Sequence, residues 1–123
     1  MSKSQTVRWL PDVDDHDYAA AESYLNLVCD AKRAAASVAQ LRAAAIVQFK
    51  AKDIFRASGL SLLGVSNSHV EKENKKILGG VGLSPLLLVR DEPNGKVVIA
   101  DGYHRLCATY GFDEDALIDC KII

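Results

Sequence analysis

Between Asp17 and Lys50 the chain contains neither glycine nor proline. Nothing in that stretch would interrupt a helix, and its abundant alanine favours one. The chain as a whole carries only three cysteines, Cys29, Cys107 and Cys120. An odd number with no metal-ligand spacing argues against a disulfide framework or a zinc site, and a reducing cytoplasm is the expected location. Charge of either sign is not in excess: 15 basic and 16 acidic residues leave a formal net charge of −1. No global basic field would draw this chain to nucleic acid or to an anionic membrane. No apolar run approaches the roughly 18 residues needed to span a bilayer. Met1-Ser2-Lys3-Ser4-Gln5 leads into a polar segment rather than a signal-peptide core, so no secretory leader is expected.

What is present suits one soluble domain: 123 residues, 49% of them apolar and 25% charged. Texture changes near residue 50. Tyr18, Ala21, Leu25 and Val28 recur at helical spacing, as do Ala34, Val38, Leu41 and Ala45. One long helix or two would satisfy that pattern, and Asp30 is placed to cap the second. Two helices are expected, packed as a hairpin or laid against the second half.

The second half alternates shorter elements. Phe49 to Ile54 reads as a short strand or as the end of a helix, and Gly59 to Ser68 as a loop. Asn67 or Ser68 can cap a polar helix over His69 to Leu78, closed by Gly79-Gly80. Leu86 to Arg90 and Lys96 to Ala100 read as strands joined by Asp91-Glu92-Pro93-Asn94-Gly95, whose Asn-Gly is a hairpin signal. After Asp101-Gly102 comes a helix to about Tyr110, with Gly111 as its C-cap, and then a final strand over Ile118 to Ile123.

The most informative stretch is Val97-Val98-Ile99-Ala100-Asp101-Gly102-Tyr103-His104-Arg105-Leu106-Cys107-Ala108. A β-branched run stops at Asp-Gly, and a His-Arg pair opens a helix. Backbone N–H groups, an imidazole and a guanidinium then share one helix N-terminus, a suitable place for a phosphate. A plainer reading is a helix start in which the glycine makes the turn and Arg105 pairs with a nearby carboxylate.

The element order helix, Pro-preceded strand, turn, strand, Gly-x-His-Arg, helix, strand resembles the ParB/sulfiredoxin superfamily. Ser84-Pro85-Leu86-Leu87-Leu88-Val89 resembles its Pro-Ile-x-Val strand. Val98 to Ala108 resembles its strand followed by Gly-x-[His/Arg/Thr]-Arg-x-x-Ala, and Ile118-Asp119-Cys120-Lys121-Ile122 its last strand. The resemblance covers roughly residues 50–123 and implies an α/β (α+β) domain with a small mixed sheet. The expected layout of the chain is an N-terminal arm over residues 1–16, helices packed on the core over 17–48, with no counterpart in that superfamily, and the ParB/sulfiredoxin-like domain over 49–123.

The superfamily includes sulfiredoxins, the nucleotide-binding domain of ParB proteins and ADP-dependent free serine kinases. By that resemblance Gly102 lets backbone approach a nucleotide phosphate, while His104 and Arg105 contact its oxygens. The helix before the Pro-led strand would add His69, Lys72 and Lys76. Mg²⁺ and ATP, ADP or CTP are the cofactors it implies. Departures narrow the chemistry. Sulfiredoxin places a cysteine where this chain has Tyr103, so sulfinic acid reduction is not expected. ParB proteins continue into DNA-binding and dimerisation domains, whereas this chain ends on its last strand, so partitioning by direct DNA binding is not expected. The serine kinases use an upstream carboxylate, for which Asp53 and Asp101 are the candidates.

Each candidate also has a plainer role. Asp101 either caps the helix or serves as general base or Mg²⁺ ligand. Tyr103 either stacks on a ligand or packs at an edge. His69, Lys72 and Lys76 also fit a solvated helix face. Arg56 and Ser58 either reach a ligand from a strand-to-loop transition or lie on the surface. Cys107 and Cys120 read as core thiols, and Trp9-Leu10 as part of an arm open to an intermolecular contact. The expected function is nucleotide-phosphate binding, with phosphoryl transfer or hydrolysis carried by His104, Arg105 and Asp53 or Asp101. A non-catalytic module is the alternative. In it the nucleotide orders the segment from Arg56 to Ser68 and alters a homodimer formed through the N-terminal helices. A ParB-like nuclease or DNA binder ranks below both.

Overall fold

The computed structural model describes residues 6–123, so the Met1–Gln5 end of the expected arm lies outside the described residues. Helix α1 spans Asp15–Val28 and α2 spans Ala31–Ala43, and the break between them is chemical. Asp30 Oδ1 accepts the Arg33 N–H at 2.8 Å, so a fresh helix start is capped where a single helix would have continued. Strand β1 (Val47–Lys50) then runs directly into helix α3 (Ala51–Ser58). Phe49 to Ile54 is therefore half strand and half helix. Arg56 and Ser58 sit on a helix, not on a strand-to-loop transition, because Ala51 and Ile54 are buried at a spacing of three while the residues between them face water.

After the loop over residues 59–67 comes α4 (Ser68–Leu78), whose cap is Asn67: its side-chain oxygen accepts from the N–H groups of His69 and Val70. Strands β2 (Leu86–Asp91) and β3 (Lys96–Asp101) form the expected hairpin. The link is longer than a two-residue Asn-Gly turn: Glu92–Asn94 make a 3-10 turn, and Gly95 closes it at φ +62°. Helix α5 (Tyr103–Phe112) passes through Gly111, which stays in helical backbone, and Asp113 ends it in extended backbone. Strand β4 (Leu117–Ile122) completes the sheet.

The sheet order is β1-β4-β2-β3, with β4 antiparallel to β1 and parallel to β2, and β2 antiparallel to β3. Five helices and this mixed sheet make an α+β fold whose first two helices precede the sheet. Leu86, Leu87 and Leu88 are all buried, which requires cover on both faces. On one face Leu87 and Ala100 pack with Tyr18, Ala21, Leu25, Ala34, Val38 and Leu41 of α1 and α2. On the other, Leu86, Leu88 and Ile99 pack with Ala51 and Ile54 of α3 and Leu106 of α5. The N-terminal helices thus form a hairpin and also lie on the sheet. Val28 and Ala45 leave the predicted stripes exposed, since Val28 is the last residue of α1 and Ala45 follows the end of α2. The arm is held by its own chain: Trp9 bridges Leu83, and Leu10 N–H donates to Leu83 O at 2.8 Å. Among the described residues no helix is long and apolar enough to cross a membrane.

Candidate functional site

Strand β3 ends at Asp101, and the chain turns through Gly102 at φ +109° into α5. A Cβ on Gly102 would lie 2.6 Å from Leu86 Cγ and 2.9 Å from Arg105 Nη2. Backbone sign and space both demand glycine here. Among the described residues no side chain caps α5. That corrects the capping role for Asp101: its Oδ2 accepts from Arg105 Nη2 at 2.9 Å instead, because the guanidinium one turn on folds back across the glycine.

Arg105 is the centre of a buried network. The same Nη2 lies 3.5 Å from Oδ2 of Asp17, a residue of α1 that is only 5% exposed. Asp17 Oδ2 also accepts from Ser84 Oγ at 2.6 Å, and Ser84 Oγ accepts the Asp14 N–H at 3.0 Å. His16 Nε2 stands 3.4 Å from Asp17 Oδ1. Burial lifts the Asp101 carboxyl above its ordinary value and the charge of Asp17 adds to that, while Arg105 pulls the other way. The pairing of Arg105 with nearby carboxylates is thus present, and one partner comes from the N-terminal helices. Asp17 stands four residues before Ala21 and eight before Leu25, so it sits on the inward stripe of α1. A carboxylate on an apolar stripe is the signal that marks it, and Ser84 before Pro85 carries no such signal.

In front of this network the first turns of α4 and α5 meet. The rings of His69 and His104 are 4.9 Å apart, and those of Tyr103 and His104 are 5.6 Å apart. Burial, with the neighbouring His69 imidazole and the Arg105 charge, depresses the His104 pKa below its ordinary value, and Glu73 opposes them. Glu73 itself pairs with Lys76 at 3.5 Å. The Tyr103 hydroxyl donates to the Ser61 carbonyl and so ties the residue 59–67 loop to this corner. Burial raises the pKa of the Tyr103 phenol and of the Cys107 thiol, and pushes Cys120 up to about 12. Neither thiol is poised as a nucleophile, which agrees with their place in the core.

The remaining candidates do not all converge. His69, Gly102, Tyr103, His104 and Arg105 stand together, and Lys76 joins their margin through Glu73. Lys72 is exposed on α4. Asp53 pairs with Arg56 at 3.6 Å on the outer side of α3, and Asp53 lines a groove at the hairpin end of the sheet. Ser58 Oγ donates to Phe55 O at 2.8 Å and accepts the Leu60 N–H, so it finishes α3. Among the described residues no group of three or more His, Cys, Asp or Glu side chains could hold a metal ion. Asp17 and Asp101, the carboxylates at the corner, both turn an oxygen toward Arg105, so the residues present do not form a protein cage for Mg²⁺. Compared with known proteins, the chain matches no protein-family model, no curated protein and no solved structure.

Proposed function

We propose that this protein binds a nucleotide through its phosphates at the corner where α4 and α5 begin. His69, His104 and the uncapped N–H groups of α5 are the direct contacts. The observation that carries this reading is the meeting of two imidazoles, 4.9 Å apart, at a helix start that no side chain caps. The resemblance of Gly102-Tyr103-His104-Arg105 and the Pro-led strand to the ParB/sulfiredoxin pattern supports the same site and suggests ATP, ADP or CTP. In this reading Arg105 works from behind. Its Nη2 is committed to Asp101 and Asp17, so it fixes the turn and lends positive potential rather than a free fork. Mg²⁺ would arrive on the nucleotide's own phosphates and waters. Phosphoryl transfer would require Asp101 to leave Arg105 before serving as a base, while Asp53 lines the groove at the hairpin end and pairs with Arg56.

A gated binding module is the second reading, favoured by one contact. Tyr103, beside the phosphate-binding turn, holds the residue 59–67 loop by its Ser61 carbonyl. A ligand that moves Tyr103 would shift that loop. A homodimer through the N-terminal helices would use Tyr24, Leu27 and Val28, apolar residues exposed late in α1.

Thermal unfolding with ATP, ADP or CTP, each with and without Mg²⁺, tests the proposal. A hundredfold excess over Kd stabilises the native state by about 2.7 kcal/mol. Stabilisation of the wild type that His69→Gln and His104→Gln both reduce is the expected result. No stabilisation by any nucleotide, or equal stabilisation of wild type and variants, overturns it. Arg105→Ala is a poor probe, because it disturbs the buried network before it reports on a ligand.

A further inference from the structure

At the other end of the β2–β3 hairpin, away from Gly102, a groove of about 310 Å³ opens between α3 and the sheet. Its floor is apolar, made by Ile54, Leu88, Val97 and Ile122. Leu88 is only 1% exposed, so the floor belongs to the core rather than to a solvated surface. The half-open ring of Phe49, on the neighbouring strand β1, forms one wall.

Two cations stand on the rim, Arg90 near the end of β2 and Lys96 at the start of β3. Among the described residues neither is in an ion pair, whereas Asp53 on the facing wall is paired with Arg56. The Lys96 ammonium reaches the carboxyl end of α3, where it lies 3.6 Å from the position a Cβ on Gly59 would take. It therefore lies beside the end of α3 while remaining exposed. An apolar floor bordered by two cations, neither in an ion pair, selects a ligand with an apolar body and an anionic head. The volume is at the small end of ligand pockets, about 300–1,000 Å³, which suits one ring or a short aliphatic chain.

We infer that this groove is a binding site for a small organic anion, with the apolar body against Val97 and Ile122 and the anionic group on Arg90 and Lys96. It is separate from the proposed nucleotide corner and does not depend on it. Asp53 sits on this groove rather than at that corner, so its place in the fold is on the opposite wall from the cations.

Benzenesulfonate is a suitable probe, a ring whose anion stays charged, with inorganic sulfate as the headgroup alone. Backbone amide shifts followed during titration of the whole chain read both position and affinity. The expected result is saturable shifts at Asp53, Arg90 and Val97 with benzenesulfonate, at least about tenfold tighter than sulfate at the same residues. Arg90→Ala combined with Lys96→Ala should weaken benzenesulfonate about tenfold or more, while His104→Gln leaves it unchanged. Shifts confined to residues 102–105, equal affinity for sulfate and benzenesulfonate, or unchanged affinity in the double variant overturns the inference.

Discussion

Arg105 and Arg90 sit at opposite ends of the same hairpin and do different work. Arg105 is almost enclosed, its side chain 14% exposed and its Nη2 shared between Asp101 and Asp17. Its Nε is buried without a hydrogen-bond partner among the described residues. Arg90 is exposed beside an apolar groove and in no described ion pair. A guanidinium already neutralised in the interior is a structural fastener. One left over at a rim is available to a ligand. The Gly-x-His-Arg motif draws attention to the first arginine, yet the free charge belongs to the second.

Substitution should separate the two most sharply in stability. Removing one partner of a buried ion pair leaves the other uncompensated, at about 3–5 kcal/mol. Arg105→Ala takes from Asp101 its ion-pair partner and leaves Asp17 only Ser84 and His16, so urea unfolding should show a loss of that size. Arg90→Ala should stay within about 0.5 kcal/mol of wild type, as exposed substitutions do. Comparable losses in the two variants would break the contrast. Gly102→Ala comes next. Its methyl would meet Leu86 Cγ at 2.6 Å at a backbone angle that L residues avoid. Strain and overpacking together predict a loss of about 2–4 kcal/mol, measured by the same unfolding experiment. A milder effect would mean that Leu86 and Arg105 can both give way at little expense, and that the corner is less tightly packed than its contacts indicate.

Local chemistry made much of the fold legible. The Asp30 and Asn67 caps, the two hairpin strands and the glycine corner each depend on residues within a few positions of one another. Helix α3 was harder to read, because eight residues with buried Ala51 and Ile54 hold too few periods to separate helix from strand. The corner's chemistry was only half legible. His104 and Arg105 announce themselves as neighbours, but Asp17 reaches Arg105 across 88 positions of sequence and Ser84 reaches Asp17 across 67. No local pattern encodes such a meeting. It follows from α1 lying on the sheet, a packing outcome of apolar stripes on two separate elements. The same limit hid the groove, whose cations are ordinary strand residues until α3 is placed opposite them.

The smallest expected effect is also the one that distinguishes the two ends most cleanly, because only the corner presents imidazoles. Burial, with the His69 imidazole and the Arg105 charge, holds the His104 pKa below its ordinary 6.5. The folded chain therefore binds fewer protons than the unfolded chain between that lowered value and 6.5, and the contribution of His104 to stability is lost as pH falls through this window. An anion bound at the corner favours the imidazolium and reverses the preference. Sulfate, whose charge is constant there, should bind the corner more tightly as pH falls toward the lowered His104 value, by at most about tenfold per pH unit for each imidazole it touches. His104→Gln should reduce that slope. Benzenesulfonate at the Arg90 groove, which has no imidazole among its lining residues, should show no slope over the same window. Amide shifts read at residues 102–105 and at Arg90 would report both sites in one titration series. A flat sulfate profile in the wild type would remove His104 from the anion's contacts and leave the corner as a folded turn secured by Arg105.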